Sequence, residues 1–233
     1  IEDFIFSSPV LVSNRSLLSG IPRLDLQNST SVLIGYRKNN LEALSHFELS
    51  LSYLRKQGNY FVNALINDQF TNFVYFFSEK KANNTLASLS KEKFFPVVHS
   101  TLGYKASYSF DTYYNVINSS GLRNVTASTS VNELYFFTAF DIPVNFRNES
   151  SFQVNSSSTE VSGRIKNIYF ENSSSLVVKP VKNILCTISG DYFLPNTNRR
   201  GEDYFFVDLL LNYSARNKRF EVTFVANNPL DNK

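Results

Sequence analysis

Apolar and polar residues alternate with a period of two over long stretches of the chain. The alternation runs through Phe47–Tyr53, through Tyr104–Phe110 and, near the C-terminus, through Phe220–Phe224. Successive side chains of a β-strand point to opposite faces, so each stretch predicts a strand with one buried and one hydrated face. Helical periodicity is scarce. The pattern therefore predicts an all-β protein built from antiparallel strands.

Short segments rich in Asn, Ser, Asp and Gly separate these stretches and predict the turns between strands. The predicted turns are Asn39-Asn40, Gln57-Gly58-Asn59, Asn118–Gly121, Ser189-Gly190-Asp191 and Asn196–Gly201.

A weak internal repeat predicts how the strands are grouped. When the chain is shifted by 134 positions, Ile34 and Tyr36 coincide with Ile168 and Phe170. Farther along, the offset falls to 99, which places the extra 35 residues of the first copy around residues 67–102. A chance match between two strand-rich halves is the alternative, because alternation alone produces coincidences. The repeat predicts two antiparallel β-sandwich domains in tandem, residues 1–132 with an insertion around 67–102, and residues 133–233.

Composition narrows the class of protein. Of the 233 residues, 42% are hydrophobic, which is enough to build a core and excludes wholesale disorder. The net charge of +3 is scattered along the chain, which disfavours a nucleic-acid partner. The longest apolar runs, Leu134–Phe140 and Phe205–Leu211, have the length of strands and not of membrane helices.

The asparagine sequons concern the compartment. Nine Asn-x-Ser/Thr motifs occur, more than composition alone explains, and each is a candidate N-glycosylation site. Since the chain begins at Ile1 without a methionine, we expect a mature chain or fragment of the secretory pathway, in the ER lumen or outside the cell. An Asn- and Ser-rich chain that never meets a glycosyltransferase is the alternative. The sequons begin at Asn14, Asn28, Asn83, Asn118, Asn124, Asn148, Asn155, Asn172 and Asn212.

Residues suited to catalysis or to metal binding are few. His46 and His99 are the only histidines, and Cys186 is the only cysteine, so neither an internal disulfide nor a cysteine-based zinc site is expected. The chain has no Gly-x-Ser-x-Gly elbow, no calcium loop and no phosphate-binding glycine loop. We therefore predict a non-enzymatic protein without cofactor or metal. A pair of carboxylates for glycoside hydrolysis stays open, because their spacing depends on the fold.

Aromatic residues offer a route to a partner. Four Phe-Phe pairs would each place one ring on either face of a regular strand. Either both faces of these strands are covered within the chain, or an aromatic surface is exposed and receives a partner. The pairs are Phe76-Phe77, Phe94-Phe95, Phe136-Phe137 and Phe205-Phe206.

One segment resembles a known family. Val32–Phe61 is similar to the lumenal domain of the alpha subunit of the translocon-associated protein complex. In that family a strand ending in Gly-aromatic precedes an Asn-containing turn, a Glu and a strand of alternating Leu and Ser. The matching residues here include Gly35-Tyr36 and Glu42. A looser version of the pattern occupies Ile165–Pro195. The resemblance implies immunoglobulin-like sandwiches, a glycosylated subunit of an ER membrane-associated assembly, and contact with other protein subunits or a polypeptide client. Membrane association would then come through a partner or a trimmed anchor.

Two other functions remain open at this point. Ser/Thr-rich stretches at Asn124–Ser130 and Asn155–Ser162 are compatible with the hairpins of a secreted pore-forming toxin. A glycan-binding protein is the other alternative.

Overall fold

The predicted strands are confirmed, but the prediction that the apolar face of the alternating stretches is buried is wrong, because most of its large side chains are exposed. A computed structural model describes residues 10–13, 15–20, 26–160, 163–195, 203–215 and 220–229, and within these ranges the chain forms twelve β-strands and one short 3-10 turn at Pro96–Val98. The all-β prediction is therefore correct. The strands are β1 Val10–Ser13, β2 Ser16–Ser19, β3 Asn28–Asn40, β4 Ser45–Ile66, β5 Thr71–Phe95, β6 Ser100–Ile117, β7 Arg123–Thr138, β8 Val144–Thr159, β9 Gly163–Val181, β10 Ile184–Leu194, β11 Tyr204–Ser214 and β12 Glu221–Asn227.

All twelve strands pair into one sheet. From β6 to β12, each strand pairs antiparallel with the next in the chain. On the other side of β6 the order is β4, β5, β2 and β1, with β3 pairing on β4 and β2 running parallel to β5. Residue 132, at the predicted domain boundary, lies within β7, where the strand pairs with both β6 and β8.

Side-chain alternation gives the sheet two faces. The apolar face carries Leu49, Leu51 and Tyr53 of β4, and the polar face carries Ser50 and Ser52. Strand register extends both faces across the sheet, because directly opposite residues of paired strands share a face. The period-two pattern of the sequence is thus a property of the whole sheet.

The predicted turn at Gln57-Gly58-Asn59 is wrong, because these residues form an irregularity inside β4. Gln57 pairs with Lys81 and Asn59 with Ser78, so β5 carries one residue more than β4 between the two pairs. Gly58 has φ +70°, a conformation in which a Cβ is strained. Gly58 therefore produces a bulge and not a chain reversal.

Beyond this bulge, β4 and β5 exchange places beside β6. Residues 83–95 of β5 pair antiparallel with β6, whereas residues 62–64 of β4 pair parallel with its last residues. The exchange creates the small apolar core of the described chain. Phe61 is 4% exposed, and its ring centroid lies 5.8 Å from that of Tyr114 and 6.2 Å from that of Phe76. The predicted extra segment at 67–102 thus contains β5, a central strand of the sheet.

The other predicted turns have mixed outcomes. Asn118 does form the β6–β7 turn, with φ 48° and its side-chain oxygen accepting a hydrogen bond from the Ile66 backbone N–H at 2.6 Å. The Asn39-Asn40 pair ends β3, and the chain reverses over residues 41–44. The predicted turn at Ser189-Gly190-Asp191 is wrong, since β10 continues through it with partners on both sides. Asn196–Gly201 lies outside the described residues.

Candidate functional site

The apolar face is open over β3 to β6. Ile34, Leu51, Ala87 and Tyr108 stand in one row across these four strands. Ile34 is 62% exposed and Leu51 45% exposed, although both belong to a hydrophobic row. The other large side chains that are exposed on this part of the face include Val32, Tyr36, Leu49, Tyr53, Leu102, Tyr104 and Phe110.

The total surface of the chain is larger than its mass requires. A compact monomer of this mass exposes about 10,700 Å², whereas the accessible surface here is 16046 Å². Single exposed apolar side chains are ordinary, but a continuous apolar patch marks an interaction surface. The excess and the open row on β3 to β6 describe a sheet that lacks a second layer among the described residues.

A polar stripe interrupts the apolar face at β8 and β9. Four side chains form a closed ring of hydrogen bonds: Asn148 Nδ2 donates to Ser174 Oγ at 2.7 Å, and Ser174 Oγ donates to Asn172 Oδ1 at 3.1 Å. Asn172 Nδ2 donates to Ser150 Oγ at 2.7 Å, and Ser150 Oγ donates back to Asn148 Oδ1 at 3.4 Å. Each asparagine thereby uses both its donor and its acceptor within the sheet.

The polar face is organised around Tyr135. Gly103 stands directly opposite it on β6 and has no side chain, so the Tyr135 ring extends across β6 to Glu92 on β5. The Tyr135 hydroxyl donates to Glu92 Oε2 at 2.6 Å, and the ring stacks on Phe137 at 5.2 Å between centroids. Burial, with this hydrogen bond and the charge of Glu92, raises the pKa of Tyr135 to about 12. The group is thus neutral over the physiological range.

A shallow cleft of about 290 Å³ adjoins this ring. Its walls include the carboxylates of Glu133, Glu149 and Glu171 on the neighbouring strands β7, β8 and β9, together with Lys105. A second cleft of about 190 Å³ shares Ser151 and Glu171 with the first and adds side chains that can hydrogen-bond or stack. The added side chains are Gln153, Asn155, Tyr169 and Phe193. Carboxylate, amide and aromatic groups together suit a polar ligand with hydroxyl groups.

Sequence reasoning missed these three glutamates because they are far apart in the chain. Glu133 is opposite Ser151 on β8, and Ser151 is opposite Glu171 on β9. The register of three strands brings them together. The one signal available in the sequence was that each glutamate occupies a polar position of its own alternating stretch, which places it on the polar face.

The sequons differ in how accessible their asparagines are. Asn28, at the start of β3, and Asn118, in the β6–β7 turn, are exposed. The amides of Asn83 and Asn212 donate to Thr112 Oγ1 and to Glu221 Oε1, as those of Asn148 and Asn172 donate within the ring. Asn124 lies in β7 and Asn155 in β8, both half-buried, and Asn14 lies outside the described residues.

The two histidines and the cysteine lie in different surroundings. His46 lies on the polar face, with Nδ1 2.6 Å from Asn39 Oδ1 and Nε2 3.5 Å from Glu48 Oε2. His99 is exposed and follows the 3-10 turn, and Cys186 is a free, half-buried thiol on β10. In the part of the chain that the structure describes, no three His, Cys, Asp or Glu side chains group in a way that would hold a metal ion.

No protein-family model matches the chain, and no curated protein matches it either. Within the described ranges, no helix combines the length and the apolar character required to cross a lipid bilayer.

Proposed function

We propose that this chain is a non-enzymatic binding module whose apolar face is covered by a partner protein in a larger assembly. The observation that carries the proposal is the open apolar row of β3 to β6. Burying such a row against apolar side chains is favourable by about 25 cal/mol for each Å² removed from water. A partner that presents a flat apolar surface, such as another β-sheet, matches this row.

The prediction of immunoglobulin-like sandwich domains belongs to the same proposal. Two immunoglobulin-like sandwiches in tandem, at residues 1–132 and 133–233, each need a second sheet about 10 Å above the first. The described strands supply one sheet, so we propose that the second layer comes from the partner. The weak similarity of Val32–Phe61 to the lumenal alpha subunit of the translocon-associated complex supports a protein subunit or a polypeptide client as that partner.

A photo-crosslinking experiment tests the partner. A photoreactive amino acid replaces Leu51 on the apolar face or, as the matched control, its neighbour Ser52 on the polar face, in cells of the native source. We expect one crosslinked product of discrete mass from position 51 and none from position 52. Equal crosslinking from both positions, or none from either, would contradict the proposal.

We also propose that the module works in the secretory pathway, in the ER lumen or outside the cell. The exposed Asn28 and Asn118 are the sequons best placed to carry glycans in the folded protein. Intact-mass spectrometry before and after enzymatic removal of N-glycans should show a loss of mass in the native protein. Substituting Asn118→Gln should reduce that loss by one glycan, and a native mass that the treatment leaves unchanged would reject this compartment.

The clefts on the polar face favour glycan binding as a second candidate function. Tyr169 and Phe193 are apolar rings beside Gln153, Asn155 and Glu171, a combination that stacks on sugar rings and bonds their hydroxyl groups. A panel of oligosaccharides should then raise the melting temperature of the protein, and Tyr169→Ala should abolish the increase. If no oligosaccharide of the panel shifts the melting temperature, glycan binding is rejected and partner binding is the candidate function that stands.

A further inference from the structure

β3 forms an open edge of the sheet. Its thirteen residues pair with β4 on one side, and within the described residues no strand pairs on the other side. Backbone N–H and C=O groups of alternate residues therefore point outward without a strand partner. From Asn28 to Tyr36 the strand contains neither proline nor a charged side chain, the two features that usually protect an edge from pairing.

We propose that two copies of this chain associate by antiparallel pairing of their β3 strands about a twofold axis at Ile34. Ile34 is the central residue of Asn28–Asn40, so this register gives every residue of the strand a partner in the second copy. Ile34 stands opposite Ile34, and Val32 opposite Tyr36. About a dozen new backbone hydrogen bonds form between strands of this length.

The side chains of the edge fit this register. Val32, Ile34 and Tyr36 are all at least half exposed on the apolar face, and pairing places each beside an apolar side chain of the second copy. Val32 against Tyr36 is a β-branched residue against an aromatic one, a favourable cross-strand pair. On the polar face, Leu33 is 76% exposed and would lie over Gly35 of the second copy.

Charge also fits the register. Arg37 stands opposite Ser31 of the second copy and Lys38 opposite Thr30, so no like charges face each other. The two Arg37 side chains lie about 20 Å apart along the strands, well beyond the screening length of about 8 Å at physiological salt. Arg37 is also paired within its own chain, with its Nη2 2.9 Å from Glu48 Oε1.

The other long edge of the sheet fits less well. β12 has seven residues, so pairing it with β3 would leave about half of β3 uncovered. Such a contact joins different surfaces of the two copies, which gives rings or open chains of molecules and not a twofold dimer. The β3 edge shares Val32, Ile34 and Tyr36 with the apolar face that we assign to a partner protein. The dimer forms through the outward backbone groups of β3 and the partner packs on the side chains of the face, so either proposal can fail without the other.

The molar mass in solution tests the dimer. The full chain, produced without glycans, should have twice the mass of 26.6 kDa by light scattering after size-exclusion chromatography at tens of micromolar. Ile34→Lys should be monomeric with an unchanged circular-dichroism spectrum. Val97→Lys is the matched control, because Val97 is 95% exposed in the 3-10 turn, and this variant should remain dimeric. A monomeric wild type, or assemblies larger than a dimer, would overturn the proposal.

Disulfide crosslinking tests the register without relying on dissociation. In a Cys186→Ser background, Ile34→Cys should form a crosslinked dimer under mild oxidation, because directly opposite residues lie within disulfide reach. Leu33→Cys should not, because Leu33 stands opposite Gly35 and its own counterpart is displaced by two residues. A dimer that crosslinks through Leu33→Cys, or that resists Ile34→Lys, would place the interface elsewhere and refute the pairing.

Discussion

Gly103→Ala is the substitution whose effect the structure defines best. A Cβ at this position would overlap the Cζ, Cε2 and hydroxyl of Tyr135, well inside the 3.0 Å that real Cβ atoms keep from other atoms. The Tyr135 ring must therefore leave its place above β6. Its hydrogen bond to Glu92 and its stacking on Phe137 are lost with that movement.

Two losses and one gain set the expected change in the free energy of unfolding. A hydrogen bond to a carboxylate contributes about 1.5 kcal/mol at the lower end of its range, and a stacked aromatic pair about 1 kcal/mol. Replacing glycine by alanine within a strand returns about 0.5–1 kcal/mol through reduced backbone entropy. We therefore expect Gly103→Ala to lower the free energy of unfolding by about 1.5–2 kcal/mol.

Urea denaturation followed by circular dichroism measures this change. Gly103→Ala should shift the midpoint to lower urea without altering the slope of the transition. Gly190→Ala is the matched control, because a Cβ at Gly190 would meet the Phe205 ring at an ordinary 3.6 Å, and it should be neutral or slightly stabilising.

A double-mutant comparison tests whether overlap with the Tyr135 ring causes the destabilisation. In a Tyr135→Ala background the obstructing ring is absent, so Gly103→Ala should become stabilising by about 0.5 kcal/mol. A reversal of sign between the two backgrounds is the specific signature of the ring. The reasoning is refuted if Gly103→Ala destabilises the protein equally in both backgrounds, or if it leaves the wild type unchanged.

Three further outcomes follow from other contacts. The folded-state pKa of Tyr135 is about 12, above the ordinary 10.0, so its contribution to the free energy of unfolding is fully present below pH 10 and is lost as the pH rises toward 12. Between pH 9 and 12, the urea midpoint of Tyr135→Phe should therefore decrease less than that of the wild type. The hydrogen bond from Arg37 holds the pKa of Glu48 below 4.5, so Arg37→Gln should return the pKa of Glu48 toward 4.5 in an NMR carboxylate titration. Gly58→Ala should lower the melting temperature and reduce the free energy of unfolding by about 1–3 kcal/mol. The backbone of Gly58 has φ +70°, and a Cβ there would lie 2.8 Å from the Phe77 ring. Gly121→Ala is the control, because a Cβ at Gly121 would meet no atom within 4 Å, and it should leave the melting temperature unchanged.

Strand existence was predictable because side-chain alternation is local. The stretches at Phe47–Tyr53 and Tyr104–Phe110 lie in β4 and β6, and the C-terminal stretch lies in β12 apart from its first residue. The segments at Asn124–Ser130 and Asn155–Ser162 belong largely to β7 and β8, where they pair with each other. Neither assignment needs information from a distant part of the chain.

Glycine-containing segments were the main source of error, because their conformation depends on distant neighbours. Gly58 and Gly190 both follow the sequence pattern of a turn. At Gly190 the residues are held extended by β9 and β11, and at Gly58 the extra residue belongs to β5. Turn chemistry predicts where a chain is able to reverse, but strand pairing decides whether it does.

The candidate sites could not be read from local pattern for the same reason. Glu133, Glu149 and Glu171 share one cleft only through the register of three strands. The 134-residue repeat stays a prediction, although its matched positions Ile34 and Ile168 both lie on the apolar face, in β3 and β9. Spatial proximity between strands is set by pairing, which a single sequence does not encode locally.

The two faces and the β3 edge place different demands on a partner. On the polar face the Tyr135 hydroxyl donates to Glu92 and the Lys105 ammonium lies 5.4 Å from the centroid of the Tyr135 ring, so this face can remain in contact with water. On the apolar face the hydrogen bonds from Tyr53 to Asn83 and from Asn83 to Thr112 are confined to one end of β4 to β6. The hydrophobic rows beside them gain by contact with other apolar atoms. The β3 edge needs backbone groups, which another strand supplies best. A dimer through β3 would join the apolar faces of two copies side by side into one larger apolar face that is still exposed. Self-association through β3 and a partner protein on the apolar face are therefore compatible in one assembly.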